Sequence, residues 1–136
     1  NILFNKTTLL RREPVSIIWL QAGVPSDADF VFDVRCLPNP YWDPNLRMFT
    51  GLETPVQEFL AAQPETIKMQ EDIINFLESW LPQYKDSNRS YMTISIGCTG
   101  GHHRSVYLCD QIGHYFNKIY DNVQIRHKEL PHPLKK

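Results

Sequence analysis

The chain has 136 residues, enough for one domain with one real core. Apolar residues make up 42% and charged residues 21%, an ordinary globular composition. The formal net charge of −1 excludes a global basic field, so any contact with nucleic acid must come from a local patch.

Residues 1–14 are mixed, with Lys6, Arg11 and Arg12, and read as a leader or linker into a single domain over 15–136. Val15 to Leu20 is a predicted strand. A turn with Pro25, Asp27 and Asp29 follows. Phe30 to Arg35 is a second strand. Its alternation sets Phe30, Phe32 and Val34 on one face and Val31, Asp33 and Arg35 on the other. Asp33 and Arg35 fall at its carboxyl end, the edge where open parallel sheets bind ligands. The long segment 36–53 is rich in Pro and Asn. Tyr41, Trp42, Leu46, Met48 and Phe49 are expected to pin it down, either as a binding loop or as a plain packed cover.

Thr54-Pro55-Val56-Gln57 reads as a helix start, with Thr54 as cap, and that helix runs to about Ala62. Pro64 opens a longer helix. Met69, Ile73, Phe76, Leu77, Trp80 and Leu81 lie on one stripe, and Pro82 and 86–88 end it. Glu65, Glu71, Asp72 and Glu78 read as solvated-face charges. A short strand over 91–96, a tight turn, a helix to about Tyr120 and a last strand over 122–127 complete the order. This strand-loop-helix-strand unit asks for a parallel pair with a right-handed crossover. The fold class expected is α/β, a small, mainly parallel sheet flanked by helices.

The turn is the richest stretch: Gly97-Cys98-Thr99-Gly100-Gly101-His102-His103-Arg104-Ser105. Glycines let N–H groups converge, and the first turn of a helix leaves N–H groups unpaired at a positive dipole end. Arg104 offers a fork suited to phosphate, and Ser105 a hydroxyl. Residues Cys98 to Ser105 are therefore the candidate phosphate-binding loop. Cys98 followed five residues later by Arg104-Ser105 also has the spacing of cysteine-dependent phosphatases, where a thiolate attacks phosphorus. On that alternative Cys98 is the nucleophile, Arg104 the clamp and Asp43 the general acid. The spacing alone favours a buried packing role for Cys98 over the nucleophile, since the helix-opening context is specific for anion binding and not for chemistry. His102, His103, His114, Cys98 and Cys109 match no zinc spacing, so no metal or cofactor is expected.

Cys36, Cys98 and Cys109 are odd in number and show no C-x-x-C, which fits a reducing, cytoplasmic setting. No apolar run approaches membrane-spanning length, and no membrane partner is expected. The chain begins with Asn1 rather than Met, as an excised fragment would.

Several motifs in order carry a resemblance. They are Asp27-x-Asp29-Phe30-Val31-Phe32-Asp33-Val34-Arg35-x-Leu37-Pro38-Asn39-Pro40, Trp42-Asp43-Pro44-x-Leu46-Arg47, Thr50-Gly51-Leu52, Arg89-Ser90-Tyr91, and Ile96-Gly97-Cys98-Thr99-Gly100-Gly101-x-His103-Arg104-Ser105-Val106-Tyr107. Over roughly 15–130 the chain resembles the C-terminal domain of the RapZ family of bacterial RNase adapter proteins. The resemblance implies a fold similar to the sugar-binding part of phosphofructokinases. It implies a sugar-phosphate-sensing, RNA-binding adapter domain in RNase-dependent small-RNA regulation, without enzymatic activity. The implied ligand is an amino-sugar phosphate like glucosamine 6-phosphate. The implied partners are a small regulatory RNA, an RNase E-like ribonuclease and further copies of the chain. Residues 98–105 would hold the phosphate, and Asp33, Arg35, Asn39 and Tyr41 the sugar. Arg126, Lys128, Lys135 and Lys136 are the candidate RNA contacts, although short basic tails are also simply solvated. The family's N-terminal P-loop domain is expected to be missing, because no G-x-x-x-x-G-K-S/T occurs. Gln21, Tyr41, Ala62 and His102 replace a basic residue, His, Arg and Lys of better-known members. A protein-interaction domain with a vestigial anion loop is a third reading.

Overall fold

The computed structural model describes residues 5–11, 15–20, 29–85, 92–98, 102–120, 123 and 125. Its order is β1 (Asn5–Arg11), β2 (Val15–Leu20), β3 (Phe30–Asp33), a 3-10 turn (Pro40–Trp42), α1 (Thr54–Ala61), α2 (Pro64–Lys85), β4 (Thr93–Cys98) and α3 (Arg104–Asn117). The α/β class expected from sequence holds. Four strands form one sheet in the order β2-β1-β4-β3.

The pair that matters for function is parallel. Phe30 lies opposite Ile94 and Asp33 opposite Gly97. The start of β3 is fastened by Asp29, whose N–H donates to the Thr93 carbonyl and whose Oδ2 accepts from the Thr93 N–H, both at 2.7 Å. At the other end the Val34 N–H reaches the Gly97 carbonyl at 2.9 Å. The two strands therefore end together.

The sheet is mixed rather than mainly parallel, because β1 pairs antiparallel with both β2 and β4. β1 lies inside the stretch read as a leader. Lys6-Thr7-Thr8-Leu9-Leu10-Arg11 has no period-two alternation, so its β-forming Thr residues give no face to read. Its place comes from a local pairing with β2 and a long-range pairing with β4. Of the strand expected over 122–127, only Val123 and Ile125 are described. Both pack on the core, and neither is in a strand.

β4 is buried along its whole length, as a central strand covered on both faces should be. β3 alternates instead. Phe30 and Phe32 turn inward and meet Phe76 of α2 edge to face at 5.2 and 5.8 Å, while Val31 and Asp33 are exposed. The inward stripe of α2 is Thr66, Ile73, Leu77 and Leu81, which matches the predicted periodicity, but Phe76 and Trp80 stay exposed. Pro82 lies inside α2 and does not end it. It stands in the last turn, where few backbone bonds remain to be lost. Glu78 is no free surface charge, since it accepts from the Tyr115 hydroxyl of α3. Phe116, Leu108 and Ile112 of α3 complete the core with Leu60, Ile94 and Ile96.

The start of α1 also differs from expectation. Glu53, not Thr54, occupies the cap position. Its Oε1 accepts from the Thr50 N–H at 2.8 Å, and the Thr50 hydroxyl accepts from the Leu52 N–H at 3.1 Å. The reciprocal box formed by Thr50 and Glu53 thus folds the turn before the helix. Among the described residues no helix is long and apolar enough to cross a membrane.

Candidate anion site at the carboxyl ends of two parallel strands

β3 and β4 stop side by side, and the chain leaves each toward the same edge. From β3 it enters Val34-Arg35-Cys36-Leu37. From β4 it leads, six residues after Cys98, to the start of α3 at Arg104. Asp33 and Arg35 therefore share an edge with Cys98, as the strand pattern implied.

Asp33 and Arg35 form a two-pronged pair. Arg35 Nε donates to both carboxylate oxygens at 2.9 Å, and Nη2 donates to Oδ2 at 2.5 Å. The Arg35 N–H also reaches Oδ1 at 2.9 Å. These bonds hold the Asp33 carboxyl below its ordinary range, with the Arg104 charge helping from further away. The carboxylate is fixed in direction yet 44% exposed, and the guanidinium 37% exposed. This pair is the open face of the site.

Beneath it sits the start of α3. Cys98 is fully buried. Its thiol lies 3.1 Å from Ser105 Oγ, and the Ser105 N–H points to Cys98 Sγ at 3.4 Å. Helix and strand end are thus joined by two contacts, the thiol donating to the Ser105 hydroxyl and the Ser105 backbone N–H donating to the sulfur. Ser105 is buried as well, while His102 is exposed. Thr99, Gly100 and Gly101 of the candidate loop lie outside the described residues, as do Arg126, Lys128, Lys135 and Lys136.

Arg104 does not stand free as the phosphate fork read from the sequence. It is only 3% exposed, and its Nη1 donates to the carbonyls of Arg35 at 2.6 Å and Leu37 at 3.0 Å. It closes the turn after β3 onto α3. Its Nε is buried without a partner.

His103 is the residue whose role the sequence understated. It is 8% exposed and caps α3, its carbonyl accepting from the Tyr107 N–H at 2.9 Å. Burial holds its imidazole below the ordinary range. The facing carbonyls of Phe49 and Arg47 oppose that shift, and the charges of His102 and Arg104 reinforce it. Nε2 is buried without a partner.

Gly51 is the second residue missed. Its N–H donates to the His102 carbonyl at 2.7 Å. A Cβ there would collide with the His103 carbonyl and come within 2.6 Å of the Tyr107 nitrogen. Only glycine permits this approach of loop backbone to helix backbone. The signal in sequence was the Thr50-Gly51-Leu52-Glu53 box beside a helix start.

The remaining expected residues lie on the loop. Asn39 accepts from the Tyr41 N–H at 3.0 Å and caps the 3-10 turn. Asp43, the general acid of the alternative mechanism, accepts from the Asn45 N–H at 2.9 Å as a turn former. Tyr41, Trp42 and Met48 do not pin the loop, because all three are exposed. Leu37 and Pro40 are buried and do so, with partly buried Leu46 and Phe49. Arg47 lies over the Tyr41 ring at 4.6 Å and donates from Nε to the Tyr41 carbonyl at 2.8 Å. Among the described residues no three His, Cys, Asp or Glu side chains gather where a metal could sit.

Residues 18–131 match the family model described as RapZ C-terminal domain. A nucleotide-binding protein of Marinobacter nauticus is 64% identical over 110 residues, 81% of this chain and 37% of that protein. A nucleotide-binding protein of Hahella chejuensis is 63% identical over 108 residues, 79% of this chain and 38% of that protein. A third, from Azotobacter vinelandii, is 58% identical over the same shares. The chain spans under two-fifths of the length of these curated relatives.

Proposed function

We propose that this chain, which belongs to the RapZ C-terminal domain family, binds the phosphate of a small phosphorylated sugar at the edge shared by β3 and β4. The observation that carries the reading is the register of Asp33 against Gly97, with Arg104 joining the start of α3 to the carbonyl of Arg35. It sets an oriented carboxylate–guanidinium pair beside the positive end of a 14-residue helix. The helix end and the glycine-rich turn would take the phosphate. Asp33 and Arg35 would take hydroxyl or amino groups of the ring, with Asn39 and Tyr41 at the rim. Glucosamine 6-phosphate, the ligand the family resemblance implies, has both kinds of group. We read the domain as a sensor rather than an enzyme, placed in an adapter that also holds RNA and a ribonuclease. Arg126, Lys128, Lys135 and Lys136 are the proposed RNA contacts.

The relatives are called nucleotide-binding proteins, so a nucleotide is the competing phosphorylated ligand. Calorimetric titration separates them. Glucosamine 6-phosphate should bind, glucosamine should bind far more weakly, and ATP or GTP should not compete. Equal affinity for the sugar with and without its phosphate overturns the reading.

One contact favours a second reading. Ser105 engages Cys98 as an activating residue would engage a nucleophilic sulfur. Full burial of the thiol argues the other way, for packing. Turnover of p-nitrophenyl phosphate that disappears in Cys98→Ser would select the phosphatase. No turnover above background is expected.

A further inference from the structure

Three consecutive residues at the start of α3 are each tied to the segment 35–51, and each by a different contact. The carbonyl of His102 accepts from the Gly51 N–H at 2.7 Å. The imidazole of His103 lies against the carbonyls of Arg47 and Phe49. The guanidinium of Arg104 binds the carbonyls of Arg35 and Leu37. These are the residues that follow the glycine-rich turn, so the lower wall of the anion site and the loop 35–51 share one set of bonds. At Gly51 the two backbones touch with no side chain between them. A displacement at the turn cannot be absorbed by a rotamer change there.

The same loop carries the two most exposed of the large apolar side chains among the described residues. Trp42 is 75% and Met48 77% exposed, with Tyr41 and Leu52 beside them in sequence. Tyr41 and Trp42 meet edge to face at 5.4 Å, and Arg47 covers Tyr41. Arg47 closes the path. Its carbonyl faces His103, while its side chain holds the carbonyl and ring of Tyr41.

We propose that the segment 35–51 is the reporter of the anion site, passing its occupancy from His102, His103 and Arg104 to the exposed Tyr41–Trp42–Met48 surface. The device is a two-ended clamp. The turn after β3 is held by Arg104 at one end, and the stretch 47–51 is held by His102 and His103 at the other. Between the anchors Leu37 and Pro40 are buried and Leu46 and Phe49 pack on the core, so the backbone that carries Tyr41, Trp42 and Met48 is docked along its length and shifts with both anchors. Buried nitrogens on His103 (Nε2) and Arg104 (Nε) that have no partner among the described residues give the clamp somewhere to relax: a ligand oxygen or water reaching either one changes the balance of bonds at both anchors.

The first arm of the test needs no ligand. Glu53→Ala removes the bond that closes the Thr50–Glu53 turn and touches neither the anion site nor α3. Amide hydrogen exchange should quicken by about threefold or more at 102–107 as well as at 49–54, because the two segments open together. Exchange that quickens at 49–54 alone overturns the clamp. The second arm rests on the sugar-phosphate reading and uses glucosamine 6-phosphate, with binding followed calorimetrically in the same samples. When heat shows saturation, exchange at 36–51 should change by a similar factor. Saturation with 36–51 unchanged overturns the reporter while leaving the binding reading intact. Absence of heat overturns the binding reading, and the first arm then decides the clamp alone.

Discussion

Residues 92–109 and residues 36–53 meet at the start of α3, yet they are built in opposite ways. In the first, every residue from Met92 to Cys98 and from His103 to Cys109 is buried. In the second, Tyr41, Trp42 and Met48 face solvent, and the backbone is held by its own turns. Asp43 N–H reaches the Pro40 carbonyl at 3.0 Å, Leu46 N–H the Asp43 carbonyl at 2.9 Å and Phe49 N–H the Leu46 carbonyl at 3.0 Å. The first region derives its stability mainly from apolar burial, the dominant favourable contribution to folding. The second buries only a few side chains, Leu37 and Pro40, and Leu46 and Phe49 in part, and adds a few directional contacts to the first, each worth about 1 kcal/mol net. One region is a fixed platform. The other is a lighter element held by a few buried side chains and a handful of bonds.

Substitutions should separate the two regions sharply. Phe116, fully buried under the platform, should lose about 3–5 kcal/mol as Phe116→Ala, measured by denaturant unfolding. Gly51 is the position that breaks the pattern, since it lies in the loop but touches α3 backbone. Gly51→Ala should cost about 1–3 kcal/mol, as overpacking against groups that cannot turn aside. A neutral Gly51→Ala would mean that the loop is not docked as described. Arg104→Ala should cost about 1–3 kcal/mol by leaving buried carbonyls unpaired, even without ligand. A loss confined to ligand affinity would return Arg104 to the phosphate clamp.

His103 gives the comparison a pH signature. Its folded-state imidazole is held below the ordinary value, so the unfolded chain binds the extra proton. Its contribution to stability is present above about pH 6.5 and declines as pH falls through that value. Melting temperatures measured from pH 8 to pH 5 should fall, and His103→Gln should show a shallower fall than wild type. Asp33 acts in a lower window. Held down by Arg35, it stabilises above its ordinary range and loses that contribution as pH drops below. The smallest effect belongs to the exposed rim. Trp42→Ala should stay within about 0.5 kcal/mol of wild-type stability, because its side chain is largely in water.

The strand-turn-helix at the site was legible because its signals are local. The alternation of Phe30, Val31, Phe32 and Asp33 and the position of Cys98 before a helical run both follow from short-range periodicity. Together they located the shared edge. β1 was not legible, since its own pattern shows no face and, although β2 follows it directly, its other partner, β4, lies far along the chain. The carbonyl contacts of Arg104 were hidden for a related reason. Residue type and spacing say that an arginine stands at a helix start, but not that two carbonyls of a distant turn already occupy it. Tyr41, Trp42 and Met48 were read as anchors because large apolar side chains usually are. The real anchors, Leu37, Pro40 and Gly51, are smaller residues whose burial depends on where α3 lies. Gly51 was visible as part of a motif, but its reason, contact with α3 backbone, is a property of the assembled fold.

The most direct test of the central claim is an amide chemical-shift titration of the 136-residue chain with glucosamine 6-phosphate, paired with glucosamine. The account predicts that the phosphorylated sugar alone shifts residues 33–35 and 98–107 most, with a smaller response along 36–51. Shifts centred on the exposed Ile67, Phe76 and Trp80 of α2, or the same shifts with glucosamine, would contradict it.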